Sequence, residues 1–232
     1  MRISQQPALI LHSRPYRETS LLLEVFSREH GRIGLVARGI RRERSRMPRG
    51  LLQPLQPLLL DWVARGELGT LAGAEAASRP FALGGEGLLA AMYVNELVLR
   101  LTPRGDPAPS AFDAYATCLD RLAGEDLAWT LRRFERDFLA EIGYAMVLAH
   151  DSDGEAIEEG SDYAYDPDAG PRPWHAGSPF VRVAGAALLA LQADVAPPAA
   201  GLNQLRRLAR AVIRHLAGGE LKAWALAVRT RG

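Results

Sequence analysis

The hydrophobic period of this chain changes once, near Phe81, and that change limits what it can fold into. Before it, short apolar runs alternate with turn signals: "ALILHS" (8–13), "SLLLEVFS" (20–27), "RIGLVAR" (32–38), "LQPLLLDWVA" (55–64) and "ELGTLAGAEA" (67–76). Five Leu- and Val-rich strands at this spacing, punctuated by Gly and Pro, predict a small antiparallel barrel. An OB-fold has that size and strand number, and an SH3-like barrel scans in the same way.

After Phe81 the period becomes helical. Residues 85–102 place Leu88, Leu89, Met92, Tyr93, Leu97 and Leu101 on one broad face, and Pro103 ends the run. Residues 110–124 repeat the pattern with Ser110 as the expected cap. Residues 126–143 begin at Asp126, a good N-cap, and close at Gly143, with Leu127, Leu131, Phe134, Phe138 and Ile142 as the inner stripe. Residues 150–180 are rich in Gly, Asp and Pro and read as a loop or a short hairpin insertion. Helical patterning returns at 185–194 and at 201–218, where Leu202, Leu205, Ala209, Val212, Ile213 and Leu216 face inward and Arg206, Arg207, Arg210 and Arg214 face away. The expected class is α+β: a five-stranded antiparallel OB-fold barrel over 1–80, then an α-helical domain over 81–232 with an irregular acidic insertion.

Charge separates the same two parts. The 28 basic residues include one lysine, Lys222, so the positive charge is almost all guanidinium. Residues 1–80 carry 13 arginines against 7 acids, whereas 151–168 carry 8 acids and no basic residue. The first part therefore suits a polyanion and the second does not. Arg32 and Arg38 are six residues apart on the third strand and so share a face. Arg41, Arg42, Arg44, Arg46 and Arg49 follow in a stretch too polar to bury, opposed only by Glu43. A guanidinium offers planar paired donors to phosphate and stacks on bases, so arginines along a barrel can hold a nucleic-acid backbone with little regard to sequence. Tyr16 and Phe26 are candidate stacking surfaces, although a strand aromatic is more commonly core.

Enzymatic chemistry finds little support. The chain has no P-loop lysine motif, G-x-G-x-x-G, H-E-x-x-H or G-x-S-x-G. Its histidines, at 12, 30, 150, 175 and 215, are scattered, and Cys118 stands alone in a helical pattern, so neither a thiolate metal cluster nor a disulfide framework is expected. The acidic run from Asp151 fails as a calcium loop, because its sixth position is Ala156 and its twelfth Asp162. No signal peptide or membrane span is expected, and a reduced cytoplasmic setting fits. Two other readings are an RNA-binding OB-fold protein and a hydrolase using Asp151 and Asp153.

"ALILHSRPYRETSLLLEVFSREHGRIGLVARGIRR", then "GLLQPLQPLLL", "YVNELVLRL" and "LRRFERDFLAEIGY", in that order, closely resemble the RecO recombination-mediator family from Pro7 to Tyr144. The resemblance implies an N-terminal OB-fold, a helical domain and a nucleoid-associated role in recombinational DNA repair. It implies binding of single- and double-stranded DNA and annealing of complementary strands. With RecR, it further implies help in loading RecA onto strands coated by single-stranded-DNA-binding protein (SSB). No nucleotide hydrolysis or cofactor is implied. By the same resemblance Arg32, Arg38, Arg41, Arg42, Arg44 and Arg46 are the DNA contacts, and the acidic SSB tail docks near Arg132. Arg133 is expected to pair with Asp137 one turn on. Many relatives carry a four-cysteine zinc module after the "GY" that ends the third helix. Here that region is acidic and free of cysteine, so no structural metal is expected.

Overall fold

A computed structural model describes residues 1–41, 48–124 and 126–224. Five strands, β1 (Arg2–Tyr16), β2 (Ser20–Ser27), β3 (Gly31–Ala37), β4 (Leu58–Val63) and β5 (Leu68–Ala76), close into a barrel in the order β1-β2-β3-β5-β4. Closure rests on the length of β1. Its first residues pair with β4 (Arg2 opposite Val63) and its later ones with β2 (Tyr16 opposite Ser20). The strand bends at a bulge between Ile3 and Gln6, where Gln5 adopts φ 54° and its N–H donates to Asp61 Oδ1 at 2.7 Å. An extra residue with a satisfied N–H is the usual device for turning a strand through a barrel corner. The β3–β5 pair is parallel, with Gly34 opposite Leu68, whereas the other pairs are antiparallel. This is the Greek-key arrangement of an OB-fold, and it settles the choice that strand spacing left open.

Alternate residues such as Ile10, Leu23, Val25, Leu35, Leu60 and Trp62 fill the barrel. On β2 the intervening residues are buried too. Phe26 is 0 % exposed, its ring 5.6 Å from Phe112 and 6.1 Å from Tyr115. Phe26 is thus core, not a stacking platform, and such burial contributes roughly 1.5–3 kcal/mol. The covering helices are α1 (Gly85–Leu101) and α2 (Pro109–Arg121). Between them Tyr115 donates its hydroxyl to Asn95 Oδ1 at 2.5 Å, and Asn95 Nδ2 donates to Leu11 O at 3.4 Å, which ties α1 to β1. Burial pushes the Tyr115 hydroxyl well above the ordinary tyrosine range, so it stays a donor.

On α1 the covered face differs from the expected one. Ala90, Ala91, Val94, Leu97 and Val98 are buried, while Leu88 and Met92 are 41 % and 46 % exposed. The helix is apolar nearly all round, and the small alanines allow the closer approach to the barrel. Pro109, with its pre-set φ, opens α2 after Ala108, so Ser110 is not the cap.

One compact unit comprises Met1–Gly124 with the segment from Lys222, and a second comprises Glu125–Leu221. In the first, the Glu96 carboxylate accepts the N–H groups of Lys222 and Ala223 at 2.9 and 2.8 Å. In the second, α3 (Leu127–Glu141) starts at Asp126, whose Oδ1 accepts the Trp129 N–H at 2.9 Å. The acidic insertion holds a hairpin, β6 (Asp162–Asp166) with β7 (Gly170–Pro173), and β8 (Val181–Ala184) adds on the other side of β6. The chain then passes into α4 (Gly185–Gln192), where a side chain on Gly185 would lie 1.9 Å from Glu158 O, and ends this unit with α5 (Ala199–Ala217).

Candidate nucleic-acid interface

Hairpin geometry brings the barrel's free arginines together. The β1–β2 turn begins after Tyr16, and Leu21 of β2 faces Ala37 at the end of β3, so this turn and the one after β3 are neighbours. The Arg41 N–H donates to Thr19 O at 3.0 Å and fixes the two turns to each other. Arg14, Arg17, Arg38 and Arg41 therefore gather at one barrel end, all exposed, and Glu18 is the acid among them. No ion pair with a described residue holds any of the four. The Arg17 guanidinium lies 5.3 Å over the half-buried Tyr16 ring, a cation–π contact. Arg42, Arg44 and Arg46 lie outside the described residues.

Arg32 has a different setting. It lies at the start of β3, so roughly 20 Å of strand separate it from Arg38. Its Nε donates to Thr102 O at 2.9 Å, and one terminal nitrogen meets Glu24 Oε2 at 3.2 Å. Arg104 binds the other Glu24 oxygen. The segment carrying Thr102 and Arg104 is strapped to the barrel by the Gly105 N–H on Arg32 O at 2.9 Å. Close by, Gly31 has φ 62°, and a side chain there would lie 1.8 Å from Asp106 O. Arg28 in the β2–β3 turn binds both oxygens of Asp113 at 2.9 and 2.8 Å, and Glu29 at 2.7 Å. The Arg28 hydrogen bond holds the Asp113 carboxyl below the usual carboxylate range. A groove of about 420 Å³ runs here between Arg32, Arg104, Glu67 and the apolar walls of Ile33, Leu35 and Trp62. Arg2, Arg28, Arg32, Arg65 and Arg104 stand against Glu24, Glu29, Glu67, Asp106 and Asp113, so their charges cancel.

In the second unit Arg132 is 6 % exposed and meets Glu135 Oε1 at 2.5 Å, and its Nε has no acceptor among the described residues. Arg133 pairs with Asp194 at 2.9 Å instead of with Asp137, which lies 2.6 Å from Arg136. Arg136 also reaches Asp194 at 3.1 Å and Leu191 O at 2.6 Å. Asp194 can serve both arginines because α3 packs on α4. Asp151 accepts the N–H groups of Asp153 and Glu155 at 2.9 and 3.0 Å, the pattern of a side-chain-stabilised turn. Among the described residues no three His, Cys, Asp or Glu side chains converge as a metal site, and no helix is long and apolar enough to cross a membrane.

The structure thus brings Arg38 and Arg41 together, places Arg32 elsewhere, and adds Arg14 and Arg17, which sequence reasoning missed. The signal for these two was the turn "RPYRET" between the first two strands, since the β1–β2 loop is one of the places where OB-folds bind oligonucleotides.

Two family models match the chain: "Recombination protein O N terminal" over residues 1–79 and "Recombination protein O C terminal" over residues 84–225. A DNA repair protein RecO from Xanthomonas oryzae pv. oryzae is 45 % identical over 97 % of this chain and 96 % of its own length. One from Xanthomonas campestris pv. campestris is 45 % identical over 97 % and 95 %, and one from Stenotrophomonas maltophilia is 44 % identical over 97 % and 96 %.

Proposed function

Because the chain belongs to the recombination protein O (RecO) family and is a DNA repair protein, we propose that its four-arginine barrel end is where it grips DNA. The observation that carries this reading is that Arg14, Arg17, Arg38 and Arg41 are exposed together without a carboxylate partner among the described residues. A guanidinium without an acid gains the whole of a phosphate contact, because nothing has to be displaced first. Each phosphate neutralised also releases counterions, and about four contacts to a single strand give a log–log salt slope of about −3. The interaction is with the backbone, so it serves single- and double-stranded DNA alike. Screening two strands at once lowers their repulsion and promotes annealing, and no step makes or breaks a covalent bond.

The same reading gives the protein its partners: RecR, the SSB tail and, through them, RecA. The tail is read as docking on the second unit near Arg132. The buried Arg132 Nε lacks an acceptor among the described residues, and a tail carboxylate would supply one, provided that the Arg132–Glu135 pair opens.

The test is anisotropy of a labelled oligonucleotide across salt with Arg14→Gln/Arg17→Gln protein. The expected result is an affinity loss of about tenfold and a slope shallower by about 1.4. Unchanged affinity and slope would remove this barrel end from the account. For the tail, Arg132→Gln protein that melts cooperatively is expected to lose binding of an acidic peptide and keep its oligonucleotide affinity.

A further inference from the structure

We propose that the outward face of α5 is a second phosphate-binding site, so that one molecule holds two nucleic-acid strands, one on each compact unit. This inference rests on the barrel-end reading above.

The observation is a conflict within the helix. Along Ala199–Ala217 the sequence "AAGLNQLRRLARAVIRHLA" has four arginines, one histidine and no acid. Leu205, Leu208, Ala209, Val212 and Ile213 are buried, and Arg206, Arg207, Arg210 and Arg214 all stand exposed on the other side. At 100° per residue these four fall within about 100° of arc, and 206 to 214 covers about 12 Å of axis. Arg206 and Arg210 are four apart, as are Arg210 and Arg214, and Arg207 and Arg210 are three apart. Like charges at those spacings destabilise a helix, and an exposed helix face ordinarily interleaves acids that turn such neighbours into favourable pairs. The macrodipole explains only the last turn, where Arg214 and His215 oppose the negative C-terminus.

Elsewhere in this unit the arginines are matched to acids: Arg133 and Arg136 to Asp194, Arg172 to Asp166, and Arg182 to Asp162. On α5 the matching stops partway. Arg210 and Arg214 share Glu220 at 2.7 and 3.6 Å, and His215 meets Asp168 at 2.8 Å. Arg206 and Arg207 have no ion pair with a described residue. Glu220 is itself half exposed, so a phosphate can replace it at little cost. Arg206 and Arg207, with the Glu220-bound Arg210 and Arg214 beside them, form a row of exposed guanidinium groups complementary to a nucleic-acid backbone.

The test uses the full-length protein and two non-complementary oligo-dT strands, one bearing a donor dye and one an acceptor. Wild-type protein is expected to bring the dyes together at a protein-to-strand ratio of about one to two. Arg206→Gln/Arg207→Gln protein is expected to keep its affinity for one strand within about twofold and to lose at least fivefold in bridging signal and, with a separate pair of complementary strands, in annealing rate. Arg206→Lys/Arg207→Lys, which keeps the charge, is expected to restore both. Unchanged bridging in the Gln variant overturns the second site. Loss of single-strand affinity equal to that of the barrel-end variant overturns its independence. A barrel-end variant that binds normally instead sinks the first reading, whatever α5 does.

Discussion

The two ends of the barrel carry similar numbers of arginines and are chemically unlike. At the end formed by the β1–β2 turn and the turn after β3, Arg14, Arg17, Arg38 and Arg41 face solvent with Glu18 as the one acid among the described residues there. At the other end Arg28, Arg32 and Arg104 are each bound to a carboxylate, and the local charge sums to zero. The lesson concerns availability. A paired guanidinium must exchange one anion for another and gains little, while an unpaired one gains the full contact and the released counterions. In the proposed reading the first end binds DNA, while the second clamps the segment after α1 onto the barrel.

The comparison is tested most severely at its first end. Replacing Arg14, Arg17, Arg38 and Arg41 together by Gln is expected to cost about a hundredfold in single-strand affinity and to flatten the salt slope by about 3. Thermal unfolding should stay within a degree or two, since these side chains are exposed and Arg17's contact is with the half-exposed ring of Tyr16. Next in size is Gly31→Ala at the clamped end, where both the left-handed backbone and the contact with Asp106 O oppose a side chain. A loss of more than about 2 kcal/mol in urea unfolding is expected. Arg32→Gln is smaller, roughly 1–2 kcal/mol, because it strips hydrogen bonds from Thr102 O and half-buried Glu24. Its DNA affinity should fall less than about twofold, and a tenfold fall would erase the distinction between the ends.

The smallest effect is in acid. The folded-state value of Asp113 lies below its ordinary 3.8, so its contribution is present above that value and lost as pH falls through the folded one. Asp113→Asn should lower Tm slightly near neutrality, where the carboxylate's contribution is present, and should flatten the decline of Tm below about pH 4, where that contribution is lost in the unsubstituted protein.

Much of this was legible in the linear chain. Period-two runs located the five strands, and Asp126 and Gly143 bracketed α3 as cap and stop. Arg38 and Arg41 were visible as cations in a polar stretch after a strand. Arg14 and Arg17 were not singled out, because they belong to the site only through the register of β1 against β2 and the Arg41–Thr19 hydrogen bond. The covered face of α1 was read only in part: Tyr93 and Leu97 are buried as expected, but Leu88 and Met92 are not, because a helix apolar on most sides carries little directional signal. The burial of Arg132 and Glu135 ran against the rule that charges face water, a rule that yields when two charges can pair three residues apart.

Sequence by itself determined where backbone changes from strand to helix, where turns fall, and that positive charge is concentrated in the first eighty residues. Those properties are local, set by neighbours within a few positions. Tertiary structure alone decided which arginines are free. The acid that takes two hydrogen bonds from Arg28 is 85 residues away, the partner of Arg104 is 80 away, and the carbonyl that holds Arg32 is 70 away. Pairing at such separations depends on how helices dock against a closed barrel, and no local pattern encodes it.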